Sequence, residues 1–98
     1  MMSDPVGLKS AHLSGATTGT LFTGSFYLKS INCLGTATGG MLTFRDGGAS
    51  GTIICQIDVP GNANNTNNVI IPAPGILFET DCYVSMPTGY NLTIFYGK

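Results

Sequence analysis

The chain predicts an all-β fold: a single antiparallel β-sandwich, jelly-roll- or immunoglobulin-like, of about 6–8 short strands, with a small barrel as the alternative. Three observations predict it. Apolar residues recur at every second position in several runs. Clusters of Gly, Pro and Asn separate those runs at fairly even intervals. No stretch carries the three-to-four-residue period of an amphipathic helix. Ninety-eight residues supply one core and not two, so the domain is 1–98, with residues 1–20 a weak strand or an extended N-terminal arm.

Met1 to Thr20 is polar and punctuated by Gly7, Gly15 and Gly19. It predicts a weak strand around Leu8–Leu13, or an arm able to add to a neighbouring sheet edge. From Leu21 to Leu34, Phe26, Leu28 and Ser30 fall on one face and Tyr27, Lys29, Ile31 and Cys33 on the other. This predicts one long strand bent near Gly24, or two short ones, since glycine inside a strand marks bulges and bends.

The stretch from Gly39 to Pro60 is the strongest signal. Leu42 and Phe44 oppose Met41, Thr43 and Arg45; then Ile53, Cys55, Ile57 and Val59 oppose Ile54, Gln56 and Asp58. Between them Asp46-Gly47-Gly48-Ala49-Ser50-Gly51 supplies the positive-φ residues and local acceptors of a hairpin loop. A helix here would enclose adjacent glycines and β-branched residues, at high cost.

Pro60 to Asn68 reads as a polar loop. Val69-Ile70-Ile71 is a short strand stopped by Pro72, and Pro74-Gly75 has the composition of a type II turn. In the run from Ile76 to Met86, Ile76, Phe78, Cys82, Val84 and Met86 should face inward. Leu77, Glu79, Asp81, Tyr83 and Ser85 should face outward. The last strand, Tyr90 to Tyr96, sets Leu92, Ile94 and Tyr96 against Thr93 and Phe95.

Composition narrows the function. Charged residues are 9% and the formal net charge is −1, whereas a typical domain carries about 25% charged residues. A surface of Thr, Ser, Asn and Gly repels neighbours weakly, which predicts a homo-oligomer or a protein packed against others. The four cations, Lys9, Lys29, Arg45 and Lys98, are too few for nucleic acid. No apolar run is long enough to cross a membrane as a helix. The opening MMSDPVGLKS lacks the features of an export leader, which predicts synthesis in a cytoplasm. Cys33, Cys55 and Cys82 are an odd, widely spaced set, read as buried free thiols and not as a disulfide framework. The sequons at Asn64 and Asn91 are then chance matches.

The segments FRDGGASGT, IPAPGILFET, CYV and TIFYG, spread between Phe26 and Gly97, resemble a family of small β-rich virion proteins of tailed bacteriophages, of the marine and cyanophage type. The resemblance implies a viral structural protein located in the virion, either capsid decoration or tail-associated, with the major capsid or tail protein as partner. It implies no catalytic residues, and it does not extend over the N-terminal segment.

Candidate chemistry is sparse. Glu79 and Asp81 share one strand face as solvated carboxylates; a glycosidase pair would need a cleft around them. Calcium held by Glu79, Asp81 and Asp46 or loop carbonyls ranks slightly above such an active site, yet the expectation is no metal and no cofactor. His12 has no nucleophile motif beside it. Arg45 and Asp46 are candidates for pinning the hairpin or forming an interface, with Arg45 reaching the loop or Glu79. Asn62, Asn64, Asn65, Asn67 and Asn68, with Tyr83 and Tyr90 as stacking rings, form a candidate glycan-recognition surface. The expected role is a non-enzymatic virion structural protein of the capsid decoration or cement type, associating through β-sheet and apolar contacts. The alternative is a tail- or fibre-associated module binding a host receptor or glycan.

Overall fold

The computed structural model describes residues 8–15, 17–61 and 66–98. Among them lie nine strands: β1 (Lys9–Ser14), β2 (Thr18–Thr23), β3 (Phe26–Leu34), β4 (Gly40–Asp46), β5 (Thr52–Val59), β6 (Thr66–Ile70), β7 (Ile76–Phe78), β8 (Asp81–Ser85) and β9 (Asn91–Gly97). One sheet has the order β1-β9-β3-β6, with β7 also on β3; the other has the order β2-β8-β4-β5. β7 pairs with the start of β3 and β6 with the rest of it, so the two share one lane.

Every pairing is antiparallel, and the pairings are nested: β1 with β9, β2 with β8, β3 with β6 and β7, β4 with β5. The folded-over ribbon then closes across its middle as β3 meets β9 and β4 meets β8. That is the jelly roll, two Greek keys wound into two facing sheets. It selects one of the expected sandwich types and replaces the small barrel, since neither sheet closes on itself. β1 and the β6–β7 lane are the edges of the first sheet; β2 and β5 are the edges of the second.

The core is what alternation predicts for two sheets facing each other. Leu28, Ile31, Cys33, Leu92 and Ile94 of the first sheet meet Leu42, Phe44, Cys82 and Val84 of the second, all buried. Each large apolar side chain so removed from water contributes about 1.5–3 kcal/mol before entropy is counted. Phe22 of the second sheet locks one end. It stacks on Tyr96 at 4.4 Å and meets Phe26 and Phe78 edge-on at 5.5 and 5.8 Å, all three on the first sheet.

Irregularities account for the departures from strict alternation. Register shifts fall at Leu21, Lys29 and Ile54. A bulge adds one residue and swaps which parity faces the core. Past Lys29, Ile31 and Cys33 turn inward with Leu28, although alternation alone sets them on opposite faces. Past Ile54, Ile53 turns outward opposite Arg45, parting from Cys55. The run from Ile76 to Met86 is not one strand. It crosses from the first sheet to the second at Glu79–Thr80, where Gly24 donates its N–H to the Thr80 carbonyl at 2.8 Å.

Gly75 turns the chain ahead of β7. Its φ is +113°, and a Cβ there would lie 2.6 Å from the Leu28 carbonyl oxygen, so glycine alone suits the position. At the N-terminus, Lys9–Ser14 pairs along its whole length with β9. Those residues are therefore a strand and not a free arm.

Candidate functional site

Asp46, the last residue of β4, lies against the β7–β8 corner. Its carboxylate accepts the backbone N–H groups of Glu79 and Thr80 at 2.8 Å each and of Asp81 at 3.2 Å. Asp81 returns the contact, accepting the N–H groups of Gly47 and Gly48 at 2.9 and 3.1 Å. Two carboxylates thus hold two loops to each other, each serving as the acceptor that a turn needs. The amide from Glu79 is the main reason that the Asp46 carboxyl titrates below its ordinary value, with partial burial opposing and the Thr80 and Asp81 amides assisting.

This arrangement disfavours calcium. The carboxylates of Asp46 and Asp81 are directed at hydrogen-bond donors, whose partial positive charge takes the place a cation would need. Arg45 donates from Nη1 to the Gly51 carbonyl at 3.3 Å across its own hairpin. The link to the β7–β8 corner comes from Asp46, not from Arg45.

Of the residues proposed for glycan recognition, those that are described do not converge. Asn62, Asn64 and Asn65 lie outside the described residues. Asn67 and Asn68 belong to strand β6 and not to a loop. Asn68 faces outward on the first sheet, where Asn32 Nδ2 donates to its Oδ1. Tyr83 lies opposite Arg45 on the outer face of the second sheet, on the far side of the sandwich. Tyr90 offers no ring to a ligand: its exposure is 0%. It fills the space under Gly35 and Gly40, and its hydroxyl donates to the Thr38 carbonyl at 3.0 Å. Its shared parity with Leu92 and Ile94 was the signal that it points inward.

The remaining candidates are quiet. His12 is exposed on the edge strand, its Nδ1 2.8 Å from Thr93 Oγ1. Cys33 and Cys82 are buried and Cys55 is half-buried, all as free thiols. Burial, reinforced by the nearby Asp81 and Asp46, pushes the Cys82 thiol up to about 12, which suppresses thiolate chemistry. Among the described residues no group of His, Cys, Asp or Glu side chains could hold a metal ion.

What the sandwich does present is two broad outer faces. Across the first sheet, pairing sets Leu77 beside Tyr27, and next to that row Ile70, Ser30, Phe95 and Ser10 lie side by side. The following row is Asn68, Asn32, Thr93 and His12. Small Ser30 between Ile70 and Phe95 leaves a shallow groove of about 410 Å³. Ile70 is 85% exposed, the extreme among the large apolar side chains of the described residues. Ordinary monomers scatter such residues singly; grouped on one face and rimmed by amides and hydroxyls, they mark a surface for contact. Sequence reasoning placed Phe95 outward but did not single out this face, because strand order decides which outward residues become neighbours.

No family model matches the chain, and neither does any curated protein. A solved structure to which the chain is similar is the cryo-EM virus-like particle of giant freshwater prawn Macrobrachium rosenbergii extra small virus. The identity is 8% and the TM-score 0.43, over 98% of this chain and 82% of that one. The jelly roll assigned above rests on strand order and register alone.

Proposed function

We propose that this chain is a non-enzymatic structural protein of a virus particle, of the capsid decoration or cement type, present as many copies. The observation that carries the reading is the exterior. A jelly roll with 9% charged residues exposes Leu8, Ile70, Leu77 and Phe95 on one side and Met41, Ile53 and Ile54 on the other. A fold hosts many roles, so the surface carries more weight here than the topology does. Apolar side chains left in water on both faces suit a protein that spends its life covered by neighbours.

The titratable groups support the same reading. Asp46 and Asp81 are engaged in holding turns, and His12 sits on an open strand edge. The finer assignment, to a tailed bacteriophage and to contact with its major capsid or tail protein, draws on the resemblance between Phe26 and Gly97. Association proceeds through apolar and main-chain contacts, so it persists at high salt, where charge pairs are screened.

Quantitative mass spectrometry of density-banded particles tests the proposal. Hundreds of copies per particle are expected for decoration of the shell. A handful would shift the assignment to the tail, and absence from the particle would refute it.

A further inference from the structure

The two sides of the sandwich are not equally sealed. β1 and β2 approach each other on one side, which leaves β5 and the β6–β7 lane on the other. Along that second side Cys55 and Ile57 of β5, Val69 and Ile71, and Ile76 of β7 pack on the core yet stay half-buried. The core therefore reaches the surface there.

The open backbone groups of an edge strand pair with another strand unless something blocks them. Three of the edges carry a block. β1 holds Lys9 and His12. β2 contains Gly19 and shifts register at Leu21. β6 sets the polar Asn67 on its inner parity, opposite Cys33, and Pro72 and Pro74 separate it from β7. Past the bulge at Ile54, β5 keeps a straight run, Cys55 to Val59, paired with β4 without a register shift. Pro60 ends it. Its inner positions, Cys55, Ile57 and Val59, are all apolar; its outer positions are Gln56 and Asp58, both exposed. Among the described residues no strand pairs with its free side.

We propose that two copies of this chain pair β5 to β5, antiparallel about a two-fold axis at Ile57, joining their second sheets into one. The strand's own sequence argues for a second copy as the occupant. In this register Ile57 meets Ile57 and Cys55 meets Val59 twice, which covers the inner row with apolar contacts. On the outer row Gln56 meets Asp58 of the second copy, also twice, and an amide N–H facing a carboxylate makes a charge-assisted bond. Gln56 gives one Nε2 hydrogen to Thr43 Oγ1 at 3.3 Å and has a second to give. The two Asp58 side chains stand diagonally on the exposed face, where water screens them. An axis at Gln56 would draw the bulged Ile54 into the ladder. An axis at Asp58 would set the two carboxylates directly opposite each other and bring in Pro60. The contact is isologous and closes at two copies. It goes beyond the particle reading, since such a dimer forms in solution whether or not a particle exists.

The full chain tests this in solution. Sedimentation velocity over a concentration series should show a monomer–dimer equilibrium, and amide hydrogen exchange should slow at Cys55–Val59 as dimer forms. Gln56→Lys and Gln56→Glu change an exposed side chain, and circular dichroism checks that each variant folds. By symmetry each change enters the contact twice, lysine facing Asp58 or glutamate facing it. Gln56→Lys should tighten the dimer and Gln56→Glu loosen it, with dissociation constants about tenfold apart at low salt. In 1 M salt, where the screening length is about 3 Å, the two should converge. The same changes at exposed Thr20, on the opposite edge strand, control for net charge and should move the dimer far less.

A chain still monomeric at about 1 mM would overturn the proposal. So would association that leaves exchange at Cys55–Val59 unchanged, or Gln56 variants that shift the dimer no more than their Thr20 counterparts. None of these results touches the particle reading, which the mass-spectrometric copy number decides.

Discussion

Replacing Asp46 by asparagine keeps the size of the side chain and removes its charge. The carboxylate receives three backbone N–H groups from the β7–β8 corner. A hydrogen bond to a charged acceptor contributes about 1.5–3 kcal/mol and a neutral one about 0.5–1.5, so three such bonds differ by about 3–4.5 kcal/mol before solvent screening. The site is largely solvated, and water screens the charge and can replace a lost acceptor. The expectation is therefore about 1–2 kcal/mol, in the range of a lost helix cap.

The sign of the pH dependence follows from the depressed carboxyl. Its folded value lies below the ordinary 3.8, so the stabilisation is fully present above about pH 4 and is lost as pH falls through the folded value. Urea unfolding of the wild type and Asp46→Asn at pH 7 and pH 3, followed by circular dichroism, measures both features. The gap between the proteins should be 1–2 kcal/mol at neutral pH and visibly smaller in acid, at about 4–8 °C of melting temperature per kcal/mol for a domain this size. A gap under about 0.3 kcal/mol, or one of equal size at both pH values, would refute the idea that this carboxylate latches the two loops.

Other expectations are more local. Phe22→Ala should cost about 3–5 kcal/mol in urea unfolding, because its ring is the second sheet's contribution to the cluster with Phe26, Phe78 and Tyr96. A loss below about 1 kcal/mol would mean that this end of the sandwich is held otherwise. Gly75→Ala should destabilise clearly more than Gly48→Ala. Both have positive φ, but only at Gly75 would the added Cβ meet backbone, 2.6 Å from the Leu28 oxygen, whereas nothing lies within 4 Å at Gly48; equal melting temperatures would contradict this. Thiol labelling of the native protein at pH 8 should modify half-buried Cys55 alone. Rapid modification of Cys82, whose thiol is pushed up to about 12, would contradict its burial.

Local pattern carried far in this chain. Leu42 and Phe44, the pair Cys82 and Val84, and the pair Leu92 and Ile94 are inward-facing because alternation is a property of a single extended backbone. The all-β class, the hairpin at Asp46–Gly51 and the sandwich follow from the same property. Strand β6 departs from the expected loop: Thr66, Asn67 and Asn68 have turn-like side chains, yet they are extended because β3 supplies a partner. Tyr90 shows a missed use of the same rule, since its parity with Leu92 already pointed it inward.

Contacts between distant segments decided the remainder. The bulges at Lys29 and Ile54 reset the inward face of two strands, and no feature of β3 or β5 read alone locates them, because a bulge is a mismatch between two strands. The corner at Glu79–Thr80 exists because Asp46, more than thirty positions earlier, accepts the amides there. Which outward side chains become neighbours, as Ile70, Ser30 and Phe95 do in one row, depends on strand order. Strand order is set by which pairings the whole chain can satisfy at once, a condition that alternation along any one segment does not contain.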